Sequence, residues 1–105
     1  MQERILQLKA EVLKAMAQPT RLKILESLRN GEKCICEICP LINGEQSNVS
    51  RHISLMQKSQ LVTTRKEGVK VMVNVKDPKV FEILDKVGAI LKNQMKEQEK
   101  LFSQI

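Results

Sequence analysis

The chain has 105 residues, 42% of them apolar, only two aromatic (both Phe), and a formal net charge of +6. That length predicts one domain, residues 1–105, with a small hydrophobic core. The apolar share excludes a disordered tail, and two aromatic rings are too few for reading single strands by base stacking. The positive balance suits an acidic partner such as nucleic acid.

The first residues, MQERILQLKAEVLK, place charges every few positions and contain no apolar core of a secretion signal. No apolar run approaches a membrane span. The expectation is a cytoplasmic protein with no membrane partner, in a compartment where thiols stay reduced. Ile5, Leu8, Val12 and Met16 recur at the spacing of one helix face. Gln18-Pro19-Thr20 ends that segment and begins a second helix, with Pro19 in its first turn. Leu22, Leu25 and Leu28 continue the second helix, and Asn30-Gly31 stops it. A short third helix is predicted over 36–42, with Ile38 and Leu41/Ile42 inward. Asn43-Gly44 makes a turn, and a fourth helix runs roughly from Gln46 to Lys58.

The period then changes. VTTRKEGVKVMVNV (62–75) is rich in Val and Thr and has Glu67-Gly68 at its middle, which predicts a two-stranded hairpin. Val69, Val71, Val73 and Val75 alternate, so one face of the second strand is expected to be buried. After Asp77-Pro78, Val80, Leu84, Val87 and Leu91 recur along a long last helix. Ile83 and Ile90 widen that stripe beyond what a solvated helix carries. The order is four helices, a hairpin and a long C-terminal helix: a mainly α (α+β) winged helix-turn-helix. The terminal helices are left to form a homodimer interface through Ile5, Leu8, Val12, Val80, Leu84, Val87 and Leu91.

On the fourth helix, steps of about 100° put Val49, Ile53 and Met56 on one side. Ser47, Arg51 and Ser54 fall on the other, flanked by Asn48 and Ser50. An apolar back and a front of short polar groups around one arginine suit a recognition helix in operator DNA. Arg takes a guanine edge bidentately, and Asn or Ser reaches bases or phosphates. From Gln46 to Val75 the chain carries a local +4, with Glu67 its one acid. Arg65 and Lys66 approach the hairpin turn, and Lys70 leaves it, where a wing meets phosphates. The candidate DNA-binding set is Gln46, Ser47, Asn48, Ser50, Arg51, His52, Ser54, Arg65, Lys66 and Lys70. His52, the single histidine, is assigned to packing or phosphate contact at the edge of the buried face.

These residues carry a resemblance. ERILQLKAEVLKAMAQPTRLKILESLRNGEKCICEICPLI followed by SNVSRHISLMQKSQLVTTRKEGVKV resembles the ArsR/SmtB family of metal-responsive winged-helix repressors, over nearly the whole chain. EKCICEIC looks like that family's thiol metal-binding box on the third helix, in the arsenic-sensor form. The resemblance implies a dimeric repressor released from its operator by As(III) or Sb(III). Three positions depart from the family pattern: Gln18 stands where a better helix cap is usual, Gly44 where an apolar residue is common, and Pro40 directly after the third cysteine.

The thiols support the same ion on their own chemistry. Cys34, Cys36 and Cys39 are the chain's only cysteines. Thiolates select soft ions. On a regular helix Cys36 and Cys39 lie about 60° apart, while Cys34 points about 140° from Cys39. The three sulfurs converge only if the chain at Cys34 is non-helical, and Pro40 is expected to loosen the helix at Cys39. A trivalent metalloid takes three thiolates and needs no fourth ligand, whereas zinc generally prefers four. Cys36-x2-Cys39-x12-His52 lacks the second histidine of a zinc finger. An odd number of cysteines excludes a closed disulfide framework. Redox sensing, through Cys36 and Cys39 as the expected pair, stays open beside metalloid binding. So does a thiol metal carrier with no role on DNA. No organic cofactor is implied. With no carboxylate pair near a histidine, phosphate loop or nucleophile–base constellation, no enzyme is expected.

Overall fold

The second helix begins because Pro19 is preset for a first helical turn and Gln18 caps it: the Gln18 Oε1 accepts from the Arg21 N–H at 2.9 Å. A longer side chain thus does the work of the usual short cap. In the computed structural model, which describes residues 2–105, the elements are α1 (Glu3–Met16), α2 (Pro19–Ser27), β1 (Lys33–Cys34), α3 (Ile35–Ile42), α4 (Gln46–Lys58), β2 (Val62–Glu67), β3 (Lys70–Val75) and α5 (Lys79–Ser103).

The wing is a three-stranded antiparallel sheet in the order β1-β3-β2, not a two-stranded hairpin. The extra strand is two residues long, pairing Lys33 with Val73 and Cys34 with Met72. So short a strand has no period to read. The β2–β3 connection is a two-residue turn between paired Glu67 and Lys70, with Gly68 at φ 63°. Of the alternating valines, Val73 and Val75 are buried and Val71 is half-buried, but Val69 sits in the turn and is fully exposed.

The core collects Ile24 and Leu25 from α2, Ile38 from α3, Val49, Ile53 and Met56 from α4, and Val73 from the sheet. Leu41, expected inward, is exposed, as is Leu22, and only Ile42 of the Leu41/Ile42 pair packs against the core. Pro40 lies inside α3 and does not loosen it: Cys39 is helical. Pro40 lacks the N–H that would bond the Cys36 carbonyl, and the helix continues with one bond fewer. Gly44 sits where α3 turns into α4, and a Cβ there would come within 2.8 Å of the Val49 side chain. Glycine at this position lets the two helices close over Val49.

The two terminal helices behave differently from α4. Ile5, Leu8 and Val12 of α1 are each more than 40% exposed, as are Val87 and Leu91 of α5. Val80, expected at the interface, is buried in the chain's own core, and Leu84 is half-buried against it. The first turns of α5 pack onto the chain's own core through Val80, Phe81, Ile83 and Leu84, so the free stripe starts later than its periodicity suggests. Arg29, just after α2, ties α5 down through Asp85 at 3.1 Å and by stacking over Phe81. Among the described residues no helix is long and apolar enough to cross a membrane.

Candidate nucleic-acid interface and thiol segment

Helix α4 splits as its periodicity predicts. Val49, Ile53 and Met56 are buried, while Gln46, Ser47, Arg51 and Ser54 are exposed and Asn48 and Ser50 half-exposed. The Arg51 guanidinium donates to Asn48 Oδ1 at 3.1 Å, which orients it along the outer face. An open groove of about 630 Å³ runs along this face, lined by Thr20 and Lys23 of α2, the α3–α4 turn, and Ser47, Asn48 and Arg51. Thr20 and Lys23 were not singled out from the sequence. Their signal was available: three residues apart after Pro19, they share the outer face of α2.

Of the two roles expected of His52, its position supports packing and removes it from the DNA-binding set. It is 4% exposed, faces inward, and its Nδ1 accepts from the Arg21 guanidinium at 3.1 Å. Arg21 also donates to the Ala15 carbonyl at 3.1 Å, so one side chain joins the end of α1, the start of α2 and the back of α4. Burial, with Arg51 and Arg21 nearby, lowers the His52 pKa. The neutral ring is the one that can accept this hydrogen bond. His52 therefore supports the outer face and does not form part of it.

On the wing, Lys66 and Lys70 are exposed and unencumbered by ion pairs among the described residues, but Arg65 is not. Glu32 accepts from Arg65 twice, at 3.0 and 2.6 Å, and Glu67 accepts from it at 3.1 Å. The Arg65 guanidinium holds the Glu32 carboxyl below the usual carboxylate range. Counting charge along residues 46–75 missed Glu32, which the β1–β3 pairing brings in from far upstream.

The thiol segment joins the wing to α3. Cys34 is the N-cap of α3, with extended backbone (φ −68°, ψ 147°), so it does lie outside the helix. Its Sγ accepts from the Cys36 N–H at 3.0 Å, and its own N–H donates to Glu37 Oε1 at 3.0 Å, a reciprocal cap. Cys34 is buried, Cys36 exposed and Cys39 half-buried. The sulfurs of Cys34 and Cys36 are linked, across a Cα separation of 5.0 Å, and Cys39 is free. This corrects the expected Cys36–Cys39 pair. On the helix those two thiols are a turn apart, whereas the extended cap residue turns Cys34 onto Cys36. Among the described residues no three Cys, His, Asp or Glu side chains are gathered as a metal site, so the third thiol is not drawn in.

Residues 18–64, from the α2 cap through the first residues of β2, match the family described as bacterial regulatory protein, arsR family. An uncharacterized HTH-type transcriptional regulator of Methanocaldococcus jannaschii is 38% identical over 82 residues, covering 77% of this chain and 92% of the relative. The arsenical resistance operon repressor of Staphylococcus xylosus is 39% identical over 61 residues, 58% of this chain and 59% of that protein. The crystal structure of NolR from Sinorhizobium fredii superposes with a TM-score of 0.75 at 30% identity, covering 83% of this chain and 87% of that one. The two sequence relatives are, by name, a transcriptional regulator and an operon repressor. With its winged helix-turn-helix, its polar outer face on α4 and this match, the chain belongs to the arsR family of DNA-binding bacterial regulatory proteins.

Proposed function

We propose that this protein is a homodimeric, cytoplasmic transcriptional repressor, a single winged-helix domain that binds operator DNA and leaves it when a soft, thiol-seeking ion binds Cys34, Cys36 and Cys39. As(III) or Sb(III) fits that donor set best. The observation that carries this reading is the thiol segment's position. It caps α3, which packs directly against α4, whose outer face carries Ser47, Arg51 and Ser54. Two-electron reduction of the Cys34–Cys36 link by a cellular thiol would free two neighbouring thiols, one at the cap and one on α3, and the third thiol, Cys39, is on the same short helix. The donors are all soft, and a trivalent metalloid uses three of them. Drawing Cys39 toward the other two would disturb the helix on which α4 rests. Arg51 would read a base edge, while Thr20, Lys23, Lys66 and Lys70 would meet phosphates. The exposed apolar faces of α1 and α5 would pair with those of a second copy. The similarity to an arsenical resistance repressor supports the same ion.

The Cys34–Cys36 link favours a second reading, thiol–disulfide sensing. A peroxide would take two protons and two electrons from this pair and leave as two waters, or as an alcohol and a water. A thiol carrier without a DNA role is set aside by the family match.

One titration separates the two readings. Binding to operator duplex is followed as arsenite, antimonite, zinc, cadmium or peroxide is added, for wild type and Cys39→Ser. Metalloid sensing requires arsenite to release wild type under reducing conditions and Cys39→Ser to respond poorly. Release by peroxide alone, retained in Cys39→Ser and reversed by reductant, would replace the metalloid reading with the redox one.

A further inference from the structure

The geometry points to Glu32 as a built-in competitor for the DNA phosphate at Arg65, so that the segment carrying the thiols also sets the grip of the wing. Arg65 points its guanidinium at two carboxylates. The contact with Glu32 is two-pronged, at 3.0 and 2.6 Å, the geometry with which arginine holds a phosphate. With Glu32 and Glu67 both on it, Arg65 brings no free positive charge to the wing, and Lys66 and Lys70 act alone.

Glu32 is not a random surface acid. It lies two residues before Cys34, immediately before β1. The register aligns Cys34, Met72 and Arg65 in one row across the sheet. Residues opposite one another in a row share a face, and residues two apart on an extended chain share it too. The strand that ends in the buried Cys34 therefore delivers Glu32 to Arg65. Cys34 cannot leave its cap without moving that strand end. A change at the thiols reaches DNA by two routes: through α3 to α4, and through β1 to the wing. The second route rests on the thiol reading proposed above. The competition between Glu32 and phosphate does not.

The experiment measures binding of reduced, ligand-free protein to duplex DNA across a salt series, for wild type, Glu32→Gln, Arg65→Gln and the double variant. Glu32→Gln removes one exposed charge and keeps its shape, and a thermal melt confirms folding. With the two-pronged partner gone and only the single contact with Glu67 left, Arg65 gains a phosphate, so Glu32→Gln binds more tightly and its plot of log K against log salt steepens by about 0.9 for each phosphate gained. In the Arg65→Gln background the same change gains no phosphate, which a merely structural role for Glu32 would not predict. Unchanged or weaker binding by Glu32→Gln would overturn the competition. Arsenite is then added under reductant. The factor by which it releases DNA falls in Glu32→Gln, and an equal factor would overturn the coupling to the thiols. Wild type that ignores arsenite, with the Glu32→Gln gain intact, would sink the metalloid reading and leave the competition standing.

Discussion

Helices α4 and α5 carry apolar stripes of the same helical period and meet opposite fates. In α4 the stripe is Val49, Ile53 and Met56, each no more than 2% exposed. In α5 only Val80 is buried, while Val87, Ile90 and Leu91 are each about half exposed and Met95 more so. The groove of about 390 Å³ between α1 and α5, lined by Leu13, Leu22, Leu84, Val87 and Leu91 among others, is open to solvent. Amphipathicity thus states that a face needs a partner, but not whether the partner lies in the same chain. For α4 the partners are α2, α3 and the sheet. For α5 beyond Leu84 this chain supplies too little cover.

The comparison breaks most visibly in stability. Ile53→Ala should destabilise the fold by about 2–5 kcal/mol, because it opens a cavity in the closed core. Leu91→Ala should change the stability of an isolated protomer far less. Denaturant titration checks both at low protein concentration, where a dimer contributes least. Equal losses would place Leu91 in the intramolecular core.

Leu91→Glu tests the other side. A charge on a face that pairs with a second copy is left without a partner. The variant should sediment as a folded monomer and bind operator poorly, since two half-sites a helical turn apart are read together only by a dimer. An unaltered dimer would show that α5 does not form the interface.

Arg51→Ala sharpens the contrast on the outer face of α4. It should lower specific operator affinity by about 1–3 kcal/mol per half-site and leave folding unchanged. Gel shifts against operator and random duplex give the ratio, and an undiminished preference for operator would remove Arg51 from base reading.

The smallest effect concerns the back of α4. The folded pKa of His52 lies below its ordinary value near 6.5. As pH falls through about 6.5 the unfolded chain takes up a proton that the folded chain refuses. The contribution is therefore complete above that pH and is lost as pH drops toward the folded value. Stability measured from pH 7 to 5 should decline in wild type and decline less in His52→Gln. Parallel profiles would mean that the histidine is not the group responsible.

Much of this was legible in the residues. Strong periods survive any context: the bounds of α4 and of the hairpin, and the inward set Val49, Ile53 and Met56, follow from steps of 3.6 and 2. Cys34 outside the helix was legible as well, since Gly31 and two polar residues precede it. The misreadings have distinct causes. Strand β1 is too short to show a period, His52 and Val80 sit at the edges of their stripes, and Arg65 is paired by a residue far away in the chain.

The sequence by itself determined the element order, the polar front of α4 and the soft chemistry of its three cysteines, because these depend on local periodicity and on side-chain type. Only the tertiary structure decided that Cys34 meets Cys36, that His52 turns inward to Arg21, and that Glu32 occupies Arg65. Each of the last two depends on groups that backbone pairing or packing brings together from distant positions. The first depends on the extended backbone that capping imposes at Cys34, and neither kind of constraint leaves a periodic trace in the order of residues.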